Sequence, residues 1–235
     1  MKKVVTLVAL VMLLNVSSKA QAKTDAPVEQ NSFKINNQFD LSLGAAKNEF
    51  IESLSYRHIW GLGKHKQWRV GGGVRFSSYQ GSNGNYLSAS PKFSGKSELT
   101  DTLSLLTAQQ NNLAILVAAS YRIKNKFELG FNIDLVGYSF GATQNATFIS
   151  NKIATPTSAS ANAPTALLVG PNDLGMIRAE FTLGYWVSDK TLLRIGLTSL
   201  NTEYKTATEL QTDNSRFRRN SQLPFIAVTY SPKHN

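Results

Sequence analysis

The chain has 235 residues, with 25 Lys and Arg against 15 Asp and Glu, a formal charge of +10 and no cysteine. That length suits one substantial domain, or two, and the absence of cysteine excludes a disulfide scaffold. After Leu14 no apolar stretch approaches the roughly 20 residues of a transmembrane helix, so a membrane could be crossed only by strands.

Met1-Lys2-Lys3 is a short basic start, and Val4 to Leu14 is apolar except for Thr6. A polar stretch follows, and Ala20-Gln21-Ala22 puts small residues where a signal peptidase reads them, the order of a secretory signal. The expected organisation is a signal peptide over 1–22, an N-terminal periplasmic segment over 23–36 and a single β-barrel domain over 37–235. Loss of Lys2, Lys3 and Lys19 with the signal takes the charge from +10 to +7. A basic excess suits nucleic acid or an anionic surface. Export argues against nucleic acid and leaves anionic headgroups and glycans. Without disulfides, an exported fold takes its stability from burial and a completed hydrogen-bond network, which a closed barrel supplies.

The rest reads as short period-2 segments parted by turn residues. Phe39, Leu41 and Leu43 alternate with Asp40, Ser42 and Gly44. Leu54, Tyr56, His58 and Trp60 alternate with Ser53, Ser55, Arg57 and Ile59. Trp68 to Phe76 and Leu113 to Arg122 continue the pattern. Phe127, Leu129, Phe131, Ile133 and Leu135 oppose Glu128, Gly130, Asn132 and Asp134. Ile177 to Tyr185 and Leu193 to Thr198 follow, and Leu223 to Ser231 is an eighth segment of strand formers whose facing is open.

The connections sort by length. Gly61 to Gln67, Lys124 to Lys126 and Ser188 to Lys190 are short and fall at the end that holds both termini. Gln80 to Asn111, Gly141 to Asp173 and Asn201 to Ser221 are long and fall at the other end, where only the link around Ala46 to Asn48 is tight. Transmembrane barrels sort their turns this way, short inside and long outside. The long links are rich in Gly, Ser, Asn, Thr and Ala and show no core of their own. Leu99 to Leu106 would add a helical turn or extend a strand.

The polar faces carry small residues with Asp40, Arg57, Arg69, Arg75, Arg122, Glu128, Asp134, Arg178, Glu180 and Arg194, while Lys64, Lys66, Lys124, Lys126 and Lys190 sit in turns. Arg forks pair well with carboxylates in a confined space, whereas Lys prefers free hydration. Those ten residues are therefore expected to form a charge network filling a narrow lumen, as the interior of an eight-stranded barrel allows. Trp60, Trp68, Tyr121, Phe127 and Tyr185 fall near segment ends on the apolar faces, where they would make an interfacial girdle. Glu52 shares parity with Leu54 and Tyr56, so it must stand above the hydrocarbon or a bulge must change its facing.

On this architecture, from about Asn37 to Pro232, the chain resembles the small outer-membrane β-barrel families, such as the OmpX-like proteins, the OmpA barrel domain and the short outer membrane protein beta-barrel proteins of Bacteroidetes. The resemblance implies an all-β, closed, antiparallel, up-and-down transmembrane barrel of about eight strands in the outer membrane. It departs at the C-terminus, where Tyr230 would be the aromatic insertion signal but is followed by a short tail.

Chemistry finds little purchase. His58, His65 and His234 all map to the periplasmic end, so a His-dependent hydrolase on the loop side is not expected. No cofactor is indicated, and no metal site, since Cys is absent and His residues are unpaired. Gly71-Gly72-Gly73 continues a strand and is read as relief of crowding or strand bending. Arg216-Phe217-Arg218-Arg219 is a dense basic run, a solvated loop face or, through Arg216, Arg218 and Arg219, a contact for anionic glycan or lipid. The reading is a non-enzymatic envelope barrel with a structural or surface-interaction role, its partners being membrane lipid, lipopolysaccharide and a protein at the extracellular loops. The alternatives are a soluble exported barrel around a small apolar ligand and a lipid-modifying outer-membrane enzyme.

Overall fold

The computed structural model describes residues 36–63, 66–90, 92, 100–124, 126–210 and 214–232. The expected signal peptide, the segment before Asn36, and His65 and His234 lie outside them. Eleven strands run β1 Asn36–Ala46, β2 Glu49–Leu62, β3 Trp68–Ser88, β4 Thr102–Ile123, β5 Phe127–Phe140, β6 Gln144–Ser150, β7 Ile153–Ala161, β8 Pro164–Ala166, β9 Ile177–Trp186, β10 Thr191–Leu210 and β11 Asn214–Tyr230.

Antiparallel pairing runs β1–β2–β3–β4–β5–β9–β10–β11 and closes from β11 back to β1, with Phe39 opposite Tyr230 and Gly44 opposite Phe225. This is a ring of eight strands without a free edge, so every strand finds ladder partners on both sides. No described helix is long and apolar enough to cross a membrane.

Side chains alternate across the wall. Outside lie Phe39, Leu54, Trp68, Val74, Phe76, Ile115, Leu129, Phe181, Ile195 and Ile226, each between 42% and 64% exposed. Inside lie Asp40, Arg57, Arg69, Arg75, Arg122, Glu128, Asp134, Arg178, Glu180 and Arg194, all buried. Along β3 the outward apolar run from Trp68 to Phe76 gives about 20 Å of height at the usual rise and a tilt near 40°, close to the apolar band of transmembrane barrels. Aromatics edge its lower rim: Trp68 lies 4.9 Å from Tyr121 and Phe127 5.3 Å from Tyr185 between ring centroids.

Glu52 faces outward opposite Leu43 and Ser78, in unbroken register and a step above Leu54 and Phe76. No bulge changes its facing. At Leu135 a bulge shifts the register between β4 and β5. Val136 then takes the outward place, at 49% exposure, that period 2 would give to Leu135.

The long links are the main correction: most of their described residues are in strands rather than structureless loops. Above the eight-stranded ring, β3, β4, β10 and β11 continue while β1, β2, β5 and β9 stop. The β6–β7 hairpin takes the place of β5 and β9, with Leu105 opposite Ala146 and Tyr204 opposite Ala161. On the other side β11 crosses over the short β1–β2 hairpin to meet β3, Phe217 opposite Ser88. A second, narrower ring of six strands, β3–β4–β6–β7–β10–β11, stands on the first. Unlike the lower lumen, its interior is apolar, packed with Tyr86, Leu103, Leu105, Phe148, Tyr204 and Phe217.

Pro224 marks the divergence. It has no N–H to donate, and the ladder between β1 and β11 ends one residue away at Gly44 and Phe225.

Candidate functional site

Each lumen residue is placed by alternation: Asp40 on β1, Arg57 on β2, Arg69 and Arg75 on β3, Arg122 on β4, Glu128 and Asp134 on β5, Arg178 and Glu180 on β9, Arg194 on β10. Their side chains meet in three tiers. Lowest, Arg69 Nη1 stands 2.6 Å from Glu128 Oε2, to which Trp186 Nε1 donates at 3.0 Å. The Arg122 guanidinium lies over the Trp186 ring at 4.6 Å.

In the middle tier, Asp40 Oδ2 receives Arg194 Nη2 at 2.5 Å, Arg57 Nη2 at 3.3 Å and the Thr229 hydroxyl at 2.6 Å. Above it, Glu180 binds Arg178 at 2.6 Å and Arg75 at 3.4 Å, and accepts from Asn132 Nδ2 at 2.8 Å. Arg75 Nη1 also stands 3.2 Å from Asp134. Arg178 reaches Ser42 Oγ at 2.9 Å and lies over the Phe225 ring at 5.7 Å.

The cavity left among Gln38, Arg57, Arg69, Glu128, Asn132 and Arg194 is about 20 Å³. That is room for roughly one water, too little for an apolar ligand in that cavity. Over the charged tiers lies a polar layer in which Ser139 and Thr165 hydroxyls meet at 2.8 Å and Asn112 Nδ2 donates to the Met176 carbonyl at 3.0 Å. The apolar interior of the upper ring covers it.

Alternation also brings in residues that type alone does not advertise. Asn132 and Trp186 share parity with the charged face of their strands, and that parity is their signal; Thr229 lies on the segment whose facing the sequence left open. Glu203 and Glu49 carry none, because they act in the upper ring.

The basic run folds onto those two carboxylates. Glu203, fully buried, accepts from Arg216 Nε at 2.8 Å and Arg218 Nη2 at 2.8 Å, and Asn162 also donates to it. Arg216 and Arg218 both donate to the Asp173 carbonyl, and Arg218 reaches the Gly170 carbonyl at 3.3 Å. The two arginines thereby clamp the connection between β8 and β9. Arg219 instead points inward at the divergence of β11 from β1 and meets Glu49 at 3.0 Å. Burial acts to raise the Glu49 carboxyl, but hydrogen bonds from Ser221, Tyr79 and Arg219 outweigh it and hold the group below its ordinary value.

Two concavities among the described residues lie outside the wall. An apolar furrow of about 1060 Å³ crosses β5, β9, β10, β11 and β1, lined by Leu129, Phe181, Ile195, Leu197, Pro224 and Ile226 among others. A polar cleft of about 500 Å³ lies where β11 meets β3, lined by Asn85, Ser88, Pro171, Arg218, Arg219 and Asn220 among others. Among the described residues no three His, Asp or Glu gather as metal ligands. His58, at the lower end, bonds Asn37 Oδ1 at 2.8 Å and packs edge-on to Trp60.

No family model and no curated protein matches the chain. Among solved structures it is similar to Neisserial surface protein A, at 6% identity over 83% of this chain and 94% of that one, with a TM-score of 0.35. It is similar also to Ail, the attachment invasion locus protein of Yersinia pestis, solved with the heparin analogue sucrose octasulfate, at 11% identity over 84% and 96% with a TM-score of 0.34. A third is the toluene transporter TbuX of Ralstonia pickettii, at 10% identity over 77% and 67% with a TM-score of 0.25. The barrel itself rests on the strand pairings described above: a closed eight-stranded ring, greasy outside and charged inside, which is the architecture of the small outer-membrane β-barrels.

Proposed function

We propose that this protein is an integral β-barrel of the bacterial outer membrane, exported by a cleaved signal peptide, whose lumen is a structural plug and whose raised rim meets partners at the cell surface. One observation carries the reading. The exposed face of the ring is an unbroken apolar belt, while the guanidiniums and carboxylates are turned inward and fill the interior. In water that arrangement is inverted and costly; in a bilayer it is the favourable one. The described lysines support it, since Lys66, Lys124, Lys126 and Lys190 lie in lower turns and Lys47, Lys92, Lys152 and Lys205 on the upper part, all off the belt.

The role is read as non-enzymatic, a surface-interaction module. Its raised rim holds Arg216, Arg218 and Arg219 close to a polar cleft, a composition suited to anionic glycan or lipid phosphate. The test combines membrane fractionation, heat-modifiable gel mobility and protease shaving of whole cells. Sedimentation with outer membranes, a mobility shift on boiling and cleavage within 141–173 are the expected results. Release from membranes by high salt or carbonate without detergent would overturn the assignment in favour of a soluble exported barrel.

A further inference from the structure

The apolar furrow and the polar cleft lie in line on the outer face of one strand. On β11 the outward residues Ile226 and Pro224 line the furrow, Gln222 is exposed between, and Asn220 and Arg218 line the cleft. From Pro224 to Asn220 is about 13 Å along a strand, so the two are neighbouring parts of one track. The furrow lies within the apolar belt; the cleft stands above it. Furrow walls come from Phe181, Ile195 and Leu197, side chains between 54% and 64% exposed that leave a trough between them. At the cleft, Arg218 and Arg219 are part of the lining, their guanidiniums held by Glu203 and Glu49 respectively. The amides of Asn85 and Asn220 stand beside them, so the lining of the cleft is rich in N–H donors.

We propose that this track is a binding site for a phosphorylated, acylated lipid of the surrounding leaflet, with acyl chain in the furrow and headgroup phosphate in the cleft. The proposal rests on the membrane reading above and deepens it by naming the lipid class and where it sits. Vertical order selects the occupant. An apolar ligand alone leaves the cleft unused, and a soluble anion leaves the furrow open. Only a molecule greasy below and anionic above matches both, and it meets the site from the leaflet without leaving it.

The experiment uses the full mature chain in mild detergent with native mass spectrometry, offering bisphosphorylated lipid A, the same lipid with its phosphates removed, and phosphatidylcholine. Two exposed positions are changed without touching an ion pair: Asn220→Glu puts a negative charge at the cleft, and Ile195→Trp fills the furrow. Leu113→Trp, on the opposite wall, is the control. Phosphorylated lipid A should be retained at least fivefold better than either other lipid. Each site variant should lose that retention at least fivefold, while Leu113→Trp keeps it. Equal retention of all three lipids, unchanged retention in both site variants, or a protein dimer that forms on the furrow and is lost in Ile195→Trp would overturn the proposal. Membrane fractionation and heat-modifiable mobility of the same variants report separately on the underlying membrane reading.

Discussion

Arg219 and Glu49, 170 residues apart, meet at 3.0 Å in the opening left where β11 departs from β1 to pair with β3. Backbone pairing between β1 and β11 stops at Gly44 and Phe225, so side chains must close the wall above. Tyr79 donates to the same Glu49 oxygen at 2.7 Å and Ser221 at 2.6 Å. Burial raises the cost of charge on Glu49, and the donors reverse it.

That balance gives an acid-sensitive latch. A carboxyl whose folded pKa lies below its ordinary value contributes stability that is present above the ordinary value and lost as pH falls through the folded one. Thermal unfolding followed from neutrality down to about pH 3 should show the wild type losing stability over the acid limb. Glu49→Gln should start lower at neutral pH, by about 1 kcal/mol since the pair is partly solvated, and lose less on acidification. Parallel curves for the two proteins would refute the latch.

The lumen responds differently because its charges have no water to fall back on. Glu180 is 1% exposed and balances Arg178 and Arg75 at once. Glu180→Ala leaves those guanidiniums uncompensated, which costs about 3–5 kcal/mol for a buried pair broken on one side. Urea unfolding in detergent micelles should show the loss directly. Adding Arg178→Ala should restore part of it, since the second change removes the orphaned charge. A double variant weaker than the sum of the two singles would count against a balanced network.

Legibility in the sequence followed the solvent. Where one strand face meets an apolar medium and the other a charged interior, period 2 is strict, so Trp68 to Phe76 and Leu113 to Arg122 could be read with their facing. In the upper ring that contrast fades. Ile153–Ala161 on β7 is exposed at its first four residues and includes Pro156, so it looks like a loop. The facing also slips: Tyr79 is buried on odd parity but Gly84 and Tyr86 on even, across Asn83 at φ 52. The closure of Phe217 on Ser88 is non-local and leaves no trace in either segment. Glu203 stayed hidden for the same reason: it is outward by alternation, yet fully buried because the β8–β9 connection and two arginines cover it.

Glu203 should accordingly control that connection rather than the barrel. Glu203→Ala removes the shared acceptor of Arg216 and Arg218, and with it the lateral restraint on the carbonyls of Gly170 and Asp173. Hydrogen exchange over 166–176 should quicken at least tenfold, the strands of the lower ring should keep their protection, and heat-modifiable mobility should persist. Uniformly faster exchange through both rings would show that Glu203 supports the whole fold instead.

Gly73 tests how tightly β3 is drawn against β2. A Cβ placed there would overlap the Tyr56 carbonyl oxygen and press on the Arg57 backbone, and one at Gly71 would overlap the His58 carbonyl oxygen. These are backbone atoms, which cannot swing aside as a side-chain tip does. By contrast, a Cβ at Gly72 would meet only the Leu116 carbonyl oxygen, at 3.2 Å. Crowding at the inward glycines, and not strand propensity, therefore sets the cost. Gly73→Ala should force the two strands apart beside Arg57 and lose about 3 kcal/mol, the upper end of the usual range for overpacking. Gly72→Ala should lose little. The comparison is direct, since both variants remove the same conformational freedom from the unfolded chain. Equal stabilities in urea would mean that close approach of β2 and β3 has no part in the choice of glycine at position 73.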